Sequence, residues 1–560
     1  MTNHKVTVGH AIAALLERCG VRLAFGVISI HNMPILDAIH ARGRVRFVPA
    51  RGEAGATNMA DSCARSSGTL GVAITSTGTA AGNAAGAMVE ALTAGTPLLH
   101  ITGQIETPYL DRDLAYIHEA PDQLAMLRAV SKEAFRVRSA ETAVATFRQA
   151  IQAALSAPSG PVSVEVPIDI QGALIELPDE LDPLPVIAGV AEPRSIERLA
   201  AALRQARRPL LWLGGGARAA APQVARLVAM GFGVVTSTQG RGIVPEDHPR
   251  SLGAYTQHKA VEELYASCDA MLAVGTRLRS NETLKYQLRL PDNLYRIDAD
   301  PSADGRCYPS RQFICADAAT ALQALADQLE SGMRIDPRFD ADLAATRQRA
   351  AEQLRNGLGP YAALVDALQG AAGRNFNWVR DVTISNSTWG NRELRLFSPD
   401  AGVHALGGGI GQGLAMAIGA SIGAAAYDTG RKTWCLAGDG GFILNIGELA
   451  TAVQERANLA ILLMNDKGYG VIKNIQDAVY GGRRCYVDLH TPDYAQVARS
   501  FGLRHHRVDR LDDIAAVLES CRDCAEPVLI EVDMLAIGPF RDAFAGPPVK
   551  AAQAAPVAAH

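Results

Sequence analysis

The chain has 560 residues, 20% of them charged and 48% hydrophobic, with a formal net charge of −4. That length is too great for one hydrophobic core and suggests about three domains of roughly 100–200 residues. The near-neutral charge without a long basic block weighs against a nucleic-acid partner, and no apolar run is long enough to cross a bilayer. The opening MTNHKVTVGHA lacks the charged region and apolar core of a signal peptide, so a cytoplasmic protein is expected. Only Cys521 and Cys524 of the nine cysteines form a CxxC, and no second pair completes a zinc site.

In chain order, short apolar β-type runs alternate with helix-type segments. The first series has strands at Leu23–Phe25, Arg46–Pro49, Leu70–Ile74, Leu98–Thr102 and Val162–Val166, with helices at Gly52–Ser66 and Ala80–Thr93. Such alternation indicates a buried parallel sheet. A Pro- and acid-rich linker, Leu177–Pro193, follows. The second series has Pro209–Leu213, a GGGA turn, a helix at Pro222–Met230, then Gly233–Ser237, Ala270–Val274 and Leu294–Asp298. An Ala-rich helical connector spans about 336–375. The third series has Thr433–Ala437, Leu459–Met464 and Pro527–Val532. The expectation is α/β: three consecutive doubly wound parallel-sheet domains over 1–175, 190–335 and 360–535, with a flexible tail at 536–560.

The third domain carries the densest chemistry. One strand runs into Gly438-Asp439-Gly440-Gly441, the next into Asn465-Asp466-Lys467-Gly468-Tyr469. Ligands of open α/β sheets bind at these carboxyl ends. The glycines let backbone N–H groups approach a phosphate, and a helix starting near Phe442 would aim its dipole there. Asp439 and Asp466, 27 residues apart, could hold one hard divalent cation that also takes diphosphate oxygens. Upstream lies a glycine-rich turn, Gly407-Gly408-Gly409-Ile410-Gly411, opening a packed helix. In the first domain, Val48-Pro49-Ala50-Arg51-Gly52-Glu53 places an acid in a first helical turn, where the dipole favours it.

The pairing of GDGG with NDKGYG resembles the signature of thiamine-diphosphate-dependent enzymes. Ser76-Thr77-Gly78-Thr79-Ala80-Ala81-Gly82-Asn83, Ile101-Thr102-Gly103-Gln104 and Arg296-Ile297-Asp298 extend the likeness over most of the chain, towards the acetolactate synthase and benzoylformate decarboxylase group. The resemblance implies pyrimidine-binding, central and diphosphate-binding domains in that order. It implies that Glu53 activates the cofactor, and that Asp439, Asp466 and the Gly468 carbonyl bind Mg2+ or another divalent cation. Ile410 would wedge under the cofactor, with the Gly408 carbonyl accepting from its 4′-amino group. Ser385, Asn386, Gly438, Gly440, Gly441 and Tyr469 would line the remaining cofactor site. Asp466 stands where the family usually has Asn, and Gly52 where it has His. The flavin motif of true acetolactate synthases is replaced by Thr276-Arg277-Leu278-Arg279, which weighs against bound FAD. A homodimer or homotetramer is implied, because the domain bearing Glu53 meets the diphosphate domain of another subunit.

On the substrate side, Ile30 and Ser76 stand where relatives place an acid, a serine or a histidine, so the usual proton donors are missing. His31, His118 and Gln123 are the remaining candidates for the pocket, since loops hold functional residues disproportionately. The expected reaction is decarboxylation of a 2-oxo acid with carboligation to an acceptor carbonyl. Aldehyde release, hydrolysis of a diketone, and a non-catalytic cofactor-binding relative are the alternatives; joint retention of Glu53, Asp439 and Ile410 argues against the last.

Overall fold

The computed structural model describes residues 5–544 and 546. The N-terminal domain contains β1 (Lys5–Thr7), β2 (Leu23–Gly26), β3 (Arg46–Pro49), β4 (Gly71–Thr75), β5 (Leu98–Gln104), β6 (Glu133–Arg136), β7 (Pro161–Pro167) and β8 (Leu174–Glu176). Six of these form a parallel sheet in the order β3-β2-β4-β5-β7-β6, while β1 and β8 pair antiparallel. Strands β4, β5 and β7 are buried along their whole length, as expected for a sheet covered by helices on both faces.

The central domain holds β9 (Pro209–Leu213), β10 (Gly233–Thr236), β11 (Ala270–Val274), β12 (Leu294–Asp298) and β13 (Gln312–Cys315), parallel in the order β10-β9-β11-β12-β13. Two helices, Phe339–Leu358 and Tyr361–Ala372, form the connector. The C-terminal domain holds β14 (Phe376–Arg380), β15 (Gly402–His404), β16 (Lys432–Gly438), β17 (Leu459–Asn465), β18 (Arg504–Val508) and β19 (Val528–Asp533). They are parallel in the order β15-β14-β16-β17-β19-β18.

Three helices position the site. Helix α1 (Glu53–Ser67) starts after extended Gly52 and stops at Gly68, whose φ of 69° is the left-handed conformation that favours glycine. Helix α2 (Thr79–Ala94) follows β4, and α3 (Gly413–Ala426) follows the glycine-rich turn. Small residues let α1 and α3 pack closely: a Cβ on Gly419 would lie 2.2 Å from the Met59 carbonyl oxygen, and one on Gly423 would lie 2.8 Å from Cys63 Sγ. One hydrophobic cluster therefore runs from Phe25 and Met59 in the first domain to Ile418 and Leu449 in the third.

Two expectations need correction. The helix expected to start near Phe442 begins at Asp439, because extended Gly438 turns the chain at once into a helical turn over Asp439–Phe442. A 3₁₀ segment, Ile443–Glu448, follows. The expected free tail is tied down at its start. The Gly538 carbonyl accepts from Tyr361 Oη at 2.6 Å, and the Asp542 amide donates to the Gly357 carbonyl at 2.9 Å. Residues 545 and 547–560 lie outside the described residues.

Candidate active site

The GDGG and NDKGYG loops follow β16 and β17, which are neighbours, so sheet register alone brings Asp439 to Asp466. Asp439 accepts from the Gly468 amide at 3.0 Å and from the Asp466 amide at 3.4 Å. The loops are pressed together where only glycine fits. A Cβ on Gly440 would lie 2.7 Å from the Tyr469 ring, and one on Gly470 would lie 2.2 Å from Asp466 Oδ2. Burial pushes Asp439 up to about 7, and the nearby Asp466 carboxylate adds to the rise. Burial raises Asp466 as well. The Lys473 ammonium stands at the same loop, 3.3 Å from the Asp466 carbonyl and 3.4 Å from the Lys467 carbonyl. The loop thus already gathers oxygen ligands around positive charge. Among the described residues, no group of three or more His, Cys, Asp or Glu side chains is arranged to hold a metal. A cation at this pair would need the Gly468 carbonyl and ligand oxygens as well.

The glycine-rich turn converges on the same place. A Cβ on Gly441 would lie 2.6 Å from Asp381 Oδ2 and 3.1 Å from the Gly411 nitrogen. Gly408 has φ of 81° with open space beside its α-carbon, and Ile410 is 39% exposed although flanked by buried elements. Ser385 and Asn386 are buried, and Ser385 Oγ and Asn386 Oδ1 have no hydrogen-bond partner. Buried polar atoms left this way point to a missing ligand or water.

In the N-terminal domain, Glu53 is the first residue of α1 and half-buried. Asn83 Nδ2, on α2, donates to Glu53 Oε2 at 3.1 Å. Loops after β2, β4 and β5 converge nearby: the ring centroids of His31 and His118 are 5.2 Å apart, edge to face. A Cβ on Gly103 would lie 2.3 Å from the His31 carbonyl, and one on Gly78 would lie 2.3 Å from the His118 carbonyl. Burial lowers the His31 pKa, and neighbouring His118 lowers it further. Ile28 and Ile30 are 59% and 65% exposed on this loop. Ser76 is buried, its carbonyl accepting from Thr102 Oγ1 at 2.6 Å.

Gln123 does not face a pocket. Its Oε1 accepts from Thr77 Oγ1 and the Gly78 amide, and its Nε2 donates to the Gly103 carbonyl and Glu165. All its hydrogen-bonding positions serve the scaffold. Sequence reasoning missed three polar groups, Glu90, Asp381 and Glu448, and gave no role to Asn83, which it quoted only within a motif. Glu448 accepts from the Arg51 amide at 3.1 Å across the domain boundary.

A cleft of about 610 Å³ opens between the central domain and the other two, lined by Gly214, Arg218, Arg279 and Arg306 together with Arg65 of α1 and Leu406 beside the glycine-rich turn. Neither Glu53 nor Asp439 lines it.

Comparison with known proteins assigns all three domains. The thiamine pyrophosphate enzyme N-terminal TPP binding domain matches residues 6–126, the central domain 196–325, and the C-terminal TPP binding domain 384–532. A Pseudomonas aeruginosa protein named probable 2-ketoarginine decarboxylase is 30% identical over 546 residues, covering 94% of each chain. A Methanocaldococcus jannaschii protein named probable acetolactate synthase large subunit is 27% identical, covering 93% of this chain and 91% of its own. The large subunit of Escherichia coli acetolactate synthase isozyme 1 is also 27% identical, covering 95% and 94%.

Proposed function

Because the chain belongs to the thiamine-diphosphate-dependent enzymes, in the acetolactate synthase group, we propose that it decarboxylates a 2-oxo acid and joins the acyl fragment to an acceptor carbonyl. The observation that carries this reading is the loop after β2. It presents Ile28 and Ile30 and contains no carboxylic acid from Gly26 to Asn32. With no carboxylate on this loop, and with Glu106 after β5 as the acid that acts on His31, protonation depends on a group from outside the loop, which leaves time for carbon–carbon bond formation. The one buried titratable group on that loop, His31, is held below the ordinary imidazole value and is therefore neutral near pH 7.

The residues present fit the cofactor. Partnerless Ser385 Oγ and Asn386 Oδ1, the glycine-lined turns and the two carboxylates form a donor set suited to a diphosphate with a divalent cation. Asp439, Asp466 and the Gly468 carbonyl would hold Mg2+. Gly438, Gly440, Gly441, Ser385 and Asn386 would surround the diphosphate, with Tyr469 beside them. Ile410 would support the ring system, and the Gly408 carbonyl would accept from the 4′-amino group. When bound, the cofactor supplies an electron sink for the carbon that loses carbon dioxide.

Glu53 has the part of moving a proton at N1′ of the aminopyrimidine. Its carboxyl, at the head of α1, is aimed by the Asn83 amide. Ile28, Ile30 and Ile410, all exposed in the single chain, would exclude water around the reacting carbon once the site is covered. We place the complete site at a subunit boundary, so that the active unit is at least a homodimer.

A second reading, aldehyde release, is favoured by the His31–His118 pair, which could donate a proton. The deciding experiment supplies pyruvate and larger 2-oxo acids while following carbon dioxide, aldehyde and 2-hydroxyketone. Predominant 2-hydroxyketone is expected. Predominant aldehyde despite abundant acceptor would reject carboligation, and activity on cyclic diketones without carbon dioxide would favour a hydrolase.

A further inference from the structure

The glycine-rich turn is held at both ends by buried carboxylates from different domains. At its start, Glu90 of α2, 1% exposed, accepts from the Leu406 amide at 2.8 Å and the Gly407 amide at 2.6 Å. At its end, Asp381 accepts from the Gly411 amide at 3.0 Å. Between the two clamps lie Gly408 and Ile410, which otherwise have little to hold them: Gly408 sits in open space and Ile410 is partly exposed. Glu90 is itself locked. Arg65 Nη2 donates to its Oε1 at 2.9 Å, while Arg65 also pairs with Asp61 and donates from Nη1 to the His404 carbonyl at 2.8 Å. The fit at Gly407 is close, since a Cβ there would lie 2.8 Å from Glu90 Oε2.

We infer that Glu90 is a positioning residue: from the N-terminal domain, it fixes the turn that presents the Gly408 carbonyl and the Ile410 side chain. The inference rests on the reading of that turn as part of the cofactor site. Three features set this contact apart from ordinary domain packing. It uses both carboxylate oxygens on consecutive amides, so it fixes the orientation of the peptide planes as well as the distance. Both amides immediately precede the left-handed Gly408, so a rotation there redirects the Gly408 carbonyl. The same helix carries Asn83, which contacts Glu53 and lies seven residues, about two helical turns, before Glu90. Helix α2 thus bears on Glu53 at one end and on the glycine-rich turn at the other. An unpaired carboxylate at this depth would be costly, so the two amides and Arg65 act as one unit.

The test uses the full chain with two variants, Glu90→Gln and Gly407→Ala. Glu90→Gln cannot accept from both amides, and Gly407→Ala pushes the turn away from the same carboxylate. Amide hydrogen exchange over 404–413 is measured without cofactor, then thiamine diphosphate affinity with Mg2+, then kcat and KM. In folded Glu90→Gln the Leu406 and Gly407 amides should exchange at least about 10-fold faster. Its kcat should fall about 10- to 100-fold with KM for the 2-oxo acid changed less than about 3-fold, as expected when orientation rather than binding is lost. Wild-type exchange and kcat in a folded Glu90→Gln would overturn the inference. If Glu90→Gln does not fold, the same two readouts on Gly407→Ala decide, with the same expected and contrary results. A wild-type protein that binds no thiamine diphosphate would instead reject the reading of the site. The exchange measurement would still report whether Glu90 holds the turn.

Discussion

His31 is the residue on which the choice between ligation and protonation turns. Burial and the adjacent His118 lower its pKa, so the folded protein holds it neutral where an ordinary imidazole, near 6.5, begins to charge. The sign follows: lowering pH below about 6.5 brings His31 towards its charged, proton-donating form. The aldehyde fraction should therefore stay level from about pH 8 to about 6.5 and rise only as pH falls below about 6.5, and this rise should vanish in His31→Asn. Product ratios across that range measure it, and a flat ratio in the wild type would exclude His31 as the donor. The places of Asp439 and Asp466 on short loops after strands, and of Glu53 in a first helical turn, were legible in the sequence, while the roles given to them rest on the resemblance. The contacts of Asn83, Glu90, Asp381 and Glu448 were not legible. Their partners lie 30, 316, 30 and 397 residues away, and nothing in the local pattern around any of them distinguishes such a contact from a solvated polar side chain.

Among the elements, the strands were the clearest signal: β9, β11 and β12 begin and end at the expected residues, because buried parallel strands are uninterrupted apolar runs bounded by turn residues. The segment after Asp439 was misread because Phe442-Ile443-Leu444 resembles a helix start, whereas the turn is already helical three residues earlier. Close packing of α1 on α3 could not be read from either helix alone, since it depends on which glycine meets which backbone. Gly419→Ala would drive a methyl group to 2.2 Å from the Met59 carbonyl oxygen and 2.4 Å from its Cα. Backbone cannot yield as a flexible side chain can, so a loss of about 3 kcal/mol is expected, at the upper end of ordinary overpacking. Urea unfolding measures it, and a loss under about 0.5 kcal/mol would show that the two helices have room to separate.

Across the whole molecule, exposed Ile28, Ile30, Met33, Leu114 and Ile117 lie on loops and helix starts of the N-terminal domain, and exposed Ile410, Leu444 and Ile472 on the glycine-rich turn and helical segments of the C-terminal domain. Large apolar side chains left exposed in this way suit a covered surface. Sedimentation should accordingly find a dimer or tetramer, and an active monomer would contradict a site shared between subunits. The central cleft lacks the flavin segment of acetolactate synthases, so the purified protein should be colourless; a yellow protein with stoichiometric FAD would reverse that expectation. The central claim is that Glu53 activates thiamine diphosphate, and the most direct measurement is hydrogen–deuterium exchange at C2 of the bound cofactor in wild type and Glu53→Gln. The account predicts rapid exchange in the wild type and a rate at least about 100-fold lower in Glu53→Gln, the scale of a lost general acid–base group. Equal rates in the two proteins would contradict it.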